Sequence, residues 1–586
     1  MENERHPKGL VTLFLSEMWE RFGFYLLLGI LYLYLTDTQK GGLGWSDKDA
    51  AVLFGSYLAL VYFTPFIGGL LADRLLGCRK TIVIGGVLMM LGYLVLAWPS
   101  ELTLYLGLGL VILGNGAFKP NISTILGNLY PPGSKLRDSG YNIFYMGINI
   151  GAFACNFVAA LVRNHFDDHP LQITSTLALR GWSVAFATAG IGMGIGLITF
   201  LINYRGLAKA DPDPGTGTQP RESLQPLLVQ CVAPAIGVAV GAYFAAPYLQ
   251  KIGINISPIN AAFLGACLPV ILFYITIWRG VEDTADRARV GGLLTIFGVV
   301  IIFWAIFHLN GTALTAWTRD NTNREPGVVE FITNNMTEFA ENAPPDYFTN
   351  AGPEVARPAR ETFEIVSEEE YKRLSDAREL VVAEGKKVYV TQKMFDEVFK
   401  NTTPQTPILP PGQHLKLVNP ELYQSINPAF VVLFTPLVVA FWHWMRQRGM
   451  EPSTSAKIGI GLLLTACGPL VMLAATYATK DGITKGTPGW LFATYALATF
   501  GELCLSPMGL SLVNKMSPAN IRAFMMGGWF LSTSFGNKLS GIFGELYTEM
   551  NHYAFWPMLA ISGGFFALLI FVLLPWLNRQ MTERTY

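Results

Sequence analysis

The sequence predicts an all-α polytopic membrane protein, and three observations carry that reading. The chain is 51% hydrophobic and 14% charged, whereas a soluble domain carries about 25% charged residues. Its apolar runs recur at lengths that suit spanning helices of about 20 residues. Glycine is abundant, with 59 residues in 586, and small residues let membrane helices approach closely.

Spans follow in order near 9–35, 49–72, 79–98, 103–128, 140–163, 181–203, 226–248, 258–278, 290–317, 426–446, 456–477, 487–515, 520–545 and 553–578, roughly fourteen in all. The short connections carry basic residues on alternating sides. Arg74, Arg79 and Lys80 follow the second span, and Lys135 and Arg137 the fourth. Arg446, Arg448 and Lys457 flank a later turn, Lys515 and Arg522 the next, and Arg579 and Arg584 end the chain. The positive-inside rule puts these residues, with both termini, in the cytoplasm. The first apolar run is too long for a cleavable signal peptide and lacks a small-residue cleavage pattern.

This arrangement suggests two six-helix halves with an extra hairpin between them. The expected units are 1–206, the first bundle; 207–280, a linker and the hairpin; 281–319, the first helix of the second bundle; 320–424, an insert; and 425–586, the rest of the second bundle. "LAKADPDPGTGTQPRESLQP" (207–226) reads as the Pro/Gly/Ser linker.

The insert interrupts the spans and emerges on the non-cytoplasmic side. It is acidic, with roughly 17 Asp+Glu against 11 Lys+Arg in residues 320–420, so the membrane body is basic. Ser367 and Glu370 in "VSEEEYKRL" form a capping box that opens a short helix. "LVVAEGKKVYV" reads as a hairpin and "TQKMFDEVF" as a second short helix. Two roles stay open for this folded appendage: a loop that only stabilises the outer face, or a cap over a pathway.

Cys78, Cys155, Cys231, Cys267, Cys467 and Cys504 all lie in or beside apolar segments, without metal-ligand spacing. They read as small buried hydrophobes. Nothing in the chain suggests nucleic acid, and the insert shows no clustered Ser/His/Asp or Cys pattern, so an enzyme or receptor acting through it ranks low.

Ionisable residues inside spans are costly and mark function. "SEMWERFGFYLLL" (16–28) places Glu17, Glu20 and Arg21 in the first span. At about 100° per residue, Arg21 lies about 40° from Glu17, and Glu20 about 60° to the other side. One Glu–Arg pair accounts for a structural salt bridge at a helix start, but a second acid is left over. Lys119 in "GAFKPN" has no acid nearby in sequence, so the surplus glutamate is its expected partner. Glu502 in "FGELCLSPMGL" is likewise isolated. Prolines in "FKPN" and "LSPMG" are expected to break their helices and free backbone groups near the midplane. Trp304, Trp529 and Phe530 are candidate pocket walls, with simple packing as the alternative.

Several segments together resemble the proton-dependent oligopeptide transporters (the POT, or PTR2, family) of the major facilitator superfamily. "EMWERFGFY" is similar to the family's ExxERFxYY motif, "GGLLADRLLGCRKTIVIG" (68–86) to its cytoplasmic loop signature, and "FYMGINIGA" (144–152) to FYxxxNxG. "GNGAFKPNIS", "SINPAF", "FGELCLSPMGLSLVNKMSPA" and "MMGGWFLSTSFGN" also resemble family segments. The resemblance covers nearly every span except the hairpin and the insert. The fourteen-span form resembles bacterial members.

The resemblance implies a major facilitator fold and proton-coupled symport of di- and tripeptides by alternating access. It implies a monomer in the inner membrane, with peptides and protons as partners and no cofactor beyond the coupling ion. Glu17, Glu20 and Arg21 would form the proton-coupling cluster, with Lys119 as partner and second contact to the peptide carboxylate. Glu502 would meet the peptide amino terminus, Asn149 and Asn427 would be pocket amides, and Tyr25, Tyr62, Trp304, Ser506, Trp529 and Phe530 would be walls.

The sequence departs from the family at three places. Phe24 replaces the first tyrosine of the YY pair. Leu28 stands where the family usually has a carboxylate-clamping arginine, and no Arg or Lys lies between Arg21 and Lys40. His308 replaces an acidic residue of the seventh core helix. It reads as a proton carrier, since an imidazole titrates near about 6.5, or as a polar pore residue without a proton role. Leu28 also keeps a second reading open: the same fold moving a modified peptide, an amino-acid conjugate or an anion such as nitrate.

Overall fold

The computed structural model describes residues 6–131, 134, 136–174, 178–211, 228–253, 256–325, 339–343, 347, 356–377, 380, 387–400, 402–411, 413–518 and 521–580. Most of the expected linker and part of the expected insert hairpin lie outside these residues. Fourteen long helices are present among the described residues: α1 Gly9–Thr36, α2 Asp47–Leu71, α3 Cys78–Leu96, α4 Glu101–Asn128, α5 Arg137–Asp168, α6 Gly181–Ile202, α7 Ala233–Lys251, α8 Pro258–Gly280, α9 Thr284–Phe307, α10 Ile426–Gln447, α11 Thr454–Thr479, α12 Gly489–Met516, α13 Arg522–Glu549 and α14 His552–Gln580. Eleven described helices are long and apolar enough to cross a membrane.

Side-chain caps start several helices where the sequence changes from polar to apolar. Ser46, Ser100, Ser257, Asp283 and Ser453 each accept a backbone N–H of the first turn, satisfying donors that have no partner within the helix.

The helices pack as two six-helix bundles with matching neighbour relations. In the first, α3 packs on α4, α1 on α5 and α6, α2 on α4, and α3 on α6. In the second, α11 packs on α12, α9 on α13 and α14, α10 on α12, and α11 on α14. The bundles meet along α2–α13 and α5–α10. The α7–α8 hairpin is peripheral. Cys231, Ala235, Val270, Phe273 and Tyr274 pack with Leu531 of α13, and Asn260 of α8 donates to Glu545 of α13 at 3.0 Å.

Two expectations about helix continuity are corrected. The span expected at 290–317 is interrupted: α9 stops at Phe307, His308–Gly311 form a 3-10 turn, and a separate helix runs over Ala313–Asn321. By contrast, α4 continues through Pro120 and α12 runs unbroken over "LSPMG". The ring at Pro120 removes one intrahelical bond, the one to Gly116 O, yet α4 continues, and the next residue ties it to α2. Asn121 Nδ2 donates to Ala117 O at 2.7 Å and to Gly68 O of α2 at 3.3 Å.

The insert has its own small core of Tyr347, Phe363, Val388, Val390, Val398 and Leu417. The Ser367 cap is formed, with Glu370 N donating to its Oγ at 3.2 Å. It opens the helix Glu368–Ala377, and Thr391 caps Gln392–Phe399. Val388–Thr391, expected in a hairpin, instead pairs in parallel with Phe363–Val366. The intervening helix supplies the crossover that parallel pairing requires. Strand Ala340–Asn342 pairs with Lys416–Val418, close to the turn that leads into α10.

The α2–α13 contact is the tightest joint between the bundles. Gly55 and Gly541 bring their backbones together, and a Cβ on either would collide with the other helix. Ser534 Oγ donates to Ala59 O at 2.7 Å, and Lys538 Nζ to Ser56 Oγ at 2.6 Å. Overpacking of this kind costs about 1–3 kcal/mol. Gly55→Leu is therefore expected to lower the melting temperature of the purified protein by several degrees. Gly241→Ala in α7, where an added Cβ meets nothing within 4 Å, should leave it unchanged.

Candidate functional site

Glu17, Glu20 and Arg21 lie on the bundle-facing side of α1, each at most 2% exposed. Arg21 pairs with both acids. Its Nη2 donates to Glu20 Oε1 at 2.5 Å, its Nε also reaches Glu20, and Nε stands 3.4 Å from Glu17 Oε1. The guanidinium lies over the Phe24 ring, 4.7 Å from its centroid. A cation over an aromatic face is favoured by the ring quadrupole, so the departure at Phe24 retains a working contact. Asn115 of α4 donates to Glu20 Oε1 at 3.3 Å. Glu17 Oε2 is buried without a hydrogen-bond partner.

Lys119 lies one turn beyond Asn115 on α4. Its ammonium rests over the Tyr62 ring of α2, 4.5 Å from the centroid. The expected ion pair between Lys119 and the surplus glutamate is not formed in this state, because Arg21 holds both carboxylates. Tyr62 is in turn 6.0 Å from the His308 ring. His308 stacks on Trp304 at 5.3 Å, and its Nδ1 lies 3.2 Å from Trp304 O. The interruption after Phe307 thus sets His308 opposite Tyr62 and Lys119.

The second bundle brings Glu502 and Asn427 together. Asn427 Nδ2 on α10 donates to Thr499 Oγ1 at 2.9 Å and to Glu502 Oε2 at 3.2 Å, both on α12. Tyr25 lies within electrostatic reach of Tyr62, Arg21 and Tyr145 and, across the bundles, of Glu502. Ser506 lies one turn beyond Glu502 and is half-buried.

Asn149 is buried, and its amide donates to Tyr145 O of its own helix at 2.9 Å. Trp529 is buried 6.1 Å from Phe297, whereas Phe530 beside it is half-buried. Leu28 is 8% exposed and belongs to the main apolar core. Asn115 and Tyr145 were not singled out from sequence. Their i, i+4 spacing to Lys119 and Asn149 is the signal that places them on the same faces.

On the insert side, a second network closes the molecule. Asn156 and Asn164 of α5 bond to Ser425 and Asn419 at 3.0 and 3.1 Å. Arg319 holds Asp47 through two bonds of 3.1 and 3.0 Å. Glu341 of the insert lies 2.6 Å from Lys40 Nζ and 2.7 Å from Arg163 Nη2, with Arg324 Nη1 at 3.5 Å. Burial raises the pKa of Glu341, but Lys40, Arg163 and Arg324 outweigh it and hold the carboxyl at about 2.

Removing Arg21 would leave two buried carboxylates without their cation, which costs about 3–5 kcal/mol. Arg21→Met is expected to lower the melting temperature further than Glu20→Gln, which leaves Glu17 paired. For Glu341, the native value lies below the ordinary 4.5, so its stabilisation is present above pH 4.5 and is lost as pH falls toward 2. Glu341→Gln should lower stability at pH 7 and flatten the acid limb of a melting-temperature profile between about pH 5 and pH 3.

The chain is similar to known proteins over most of its length. The di-/tripeptide transporter of Lactococcus lactis subsp. cremoris is 28% identical over 96% of this chain and 95% of its own length. The peptide transporter YePEPT of Yersinia enterocolitica is 27% identical over 92% of this chain and 88% of its own. A crystal structure of a peptide transporter POT variant in complex with alafosfalin superposes with a TM-score of 0.69 at 27% identity, covering 100% of this chain and 97% of that one. The POT family model matches residues 79–340 and 413–556. The chain belongs to the POT family.

Proposed function

We propose that the protein is a proton-coupled symporter of di- and tripeptides, working as a monomer in the inner membrane with both termini in the cytoplasm. One observation supports this above the others. Tyr62 carries the Lys119 ammonium on its ring and lies within electrostatic reach of Glu502 from the opposite bundle. A zwitterionic peptide needs a cation for its carboxylate and an acid for its amino group, and these two groups approach one region from two bodies that can move apart.

In the proposed cycle, Glu17 and Glu20 take the coupling proton. The unpartnered Glu17 Oε2 is a position where a proton can settle without displacing an existing bond. Protonation removes the surplus charge of the cluster and loosens its hold on Arg21. It also removes the long-range attraction that draws the Lys119 ammonium toward the cluster, so that Lys119 can face the peptide carboxylate. The bundles then rock around the site, as alternating access requires. The names of the relatives point to peptides, and the reading as an anion carrier is set aside.

Uptake into proteoliposomes tests this. Labelled dipeptide should accumulate when an inward proton gradient is imposed, and collapsing the gradient should abolish accumulation. Glu20→Gln should reduce gradient-driven accumulation at least tenfold while counterflow persists in part. Accumulation indifferent to the gradient would defeat proton coupling.

A further inference from the structure

We propose that Lys40 and Arg163 form an entry subsite for the carboxylate of the incoming substrate, and that Glu341 of the insert occupies this subsite in the closed state. This rests on the peptide reading above. The site is a polar cavity of about 570 Å³ on the insert side, lined among others by Asp37, Lys40, Arg163, Trp182, Arg324 and Glu341.

The occupant and its holders belong to different halves of the molecule. Lys40 follows α1, and Arg163 lies on α5, both in the first bundle. Glu341 lies on the strand paired with Lys416–Val418, and Arg324 follows the helix Ala313–Asn321, both on the side of the second bundle. When the bundles part on this side, the Glu341 bonds to Lys40 and Arg163 must break. Those two cations then face the cavity without the carboxylate they now hold.

Asp37 and Asp167 move with the first bundle. Asp37 is engaged: it accepts the backbone N–H groups of Gln39, Lys40 and Gly42 and the Trp182 indole. Asp167 accepts Gly181 N through Oδ1, and its Oδ2 is buried without a partner, so one acid stays near the two cations, and they outnumber it when Glu341 leaves. Glu421, 3.4 Å from Arg163, sits at the start of α10 and leaves with the second bundle.

Arg163 is shaped to receive a carboxylate. Its guanidinium stacks on Trp182, 4.3 Å from the ring centroid, and its Nε is buried without a partner. A planar guanidinium takes a carboxylate through two parallel bonds. In the sequence, Lys40, just beyond α1, is the next basic residue after Arg21, so it is the cation nearest the insert-side end of that helix.

The test uses the purified full-length protein and reads melting temperature. Glu341→Ala is expected to melt below the wild type. Sodium acetate should restore it saturably, where sodium chloride at equal ionic strength does not. In the same variant, dialanine should stabilise at an at least threefold lower concentration than its C-terminal amide, a preference larger than in the wild type, and the excess over the wild type should be lost in Lys40→Met/Glu341→Ala. Should Glu341→Ala fail to fold, Glu341→Gln carries the same comparison of free and amidated peptide. Equal effects of acetate and chloride, or a preference for the free carboxylate unchanged by Glu341 and Lys40 substitution, would overturn the subsite. Gradient-driven uptake by the wild type reads the transport function separately: uptake without carboxylate dependence at Glu341 defeats the subsite alone.

Discussion

One guanidinium holding two buried carboxylates is the constraint on which the membrane interior depends. Arg21 cannot neutralise both Glu17 and Glu20, so the cluster carries one surplus negative charge where charge is costly. The surrounding contacts each lower that cost. Asn115 donates to Glu20, Phe24 receives the back of the guanidinium, and Lys119 stands nearby on α4. Because Lys119 rests on Tyr62 rather than on an acid, the surplus is left to long-range attraction or to a proton. A site with this charge count has two stable ways to reach neutrality, which is the property a coupled carrier needs.

The insert side holds a second buried charge network. Glu341 meets Lys40, Arg163 and Arg324, with Glu421 also 3.4 Å from Arg163, and it comes from a segment that is not part of either six-helix bundle. The insert is therefore more than a surface decoration, since its strand Ala340–Asn342 supplies an acid that ties it to Lys40 and Arg163 of the first bundle. Together with the Gly55–Gly541 crossing and the α5 asparagine bonds, it makes closure a polar joint. Such joints exchange partners readily on contact with water.

The architecture was legible because a membrane helix writes itself as an apolar run of fixed length. The alternating Arg and Lys turns revealed the division into halves. The local capping box at Ser367 was also readable, since it needs only residues three apart. What stayed hidden depends on distant neighbours. Pro120 predicts a break from its missing N–H, but α4 continues through it while packed against α2. The interruption at His308–Gly311 occurs in an apolar stretch that reads as continuous helix. The parallel pairing of Phe363–Val366 with Val388–Thr391 joins segments that sequence alone gave no reason to match. Among the site residues, the Arg21 pairing with Glu17 followed from i, i+4 spacing. The choice of Lys119 between an acid and an aromatic face was set by Tyr62 on another helix, which no spacing rule reports.

Two of the three departures from the expected family pattern bear on charge. Leu28 stands where a cation is expected on α1, and His308, in the turn after α9, stands where an acid is expected. The turn His308–Gly311 packs against α1, so both changes fall on elements in contact. Leu28 packs in the main apolar core and His308 stacks on Trp304, so neither position adds a buried ion that would need a partner. The net charge of the site is then carried entirely by Glu17, Glu20, Arg21, Lys119 and Glu502. The acid–base balance of the transport site therefore rests on this cluster, while the proposed subsite at Lys40 and Arg163 lies apart from it, in the cavity on the insert side.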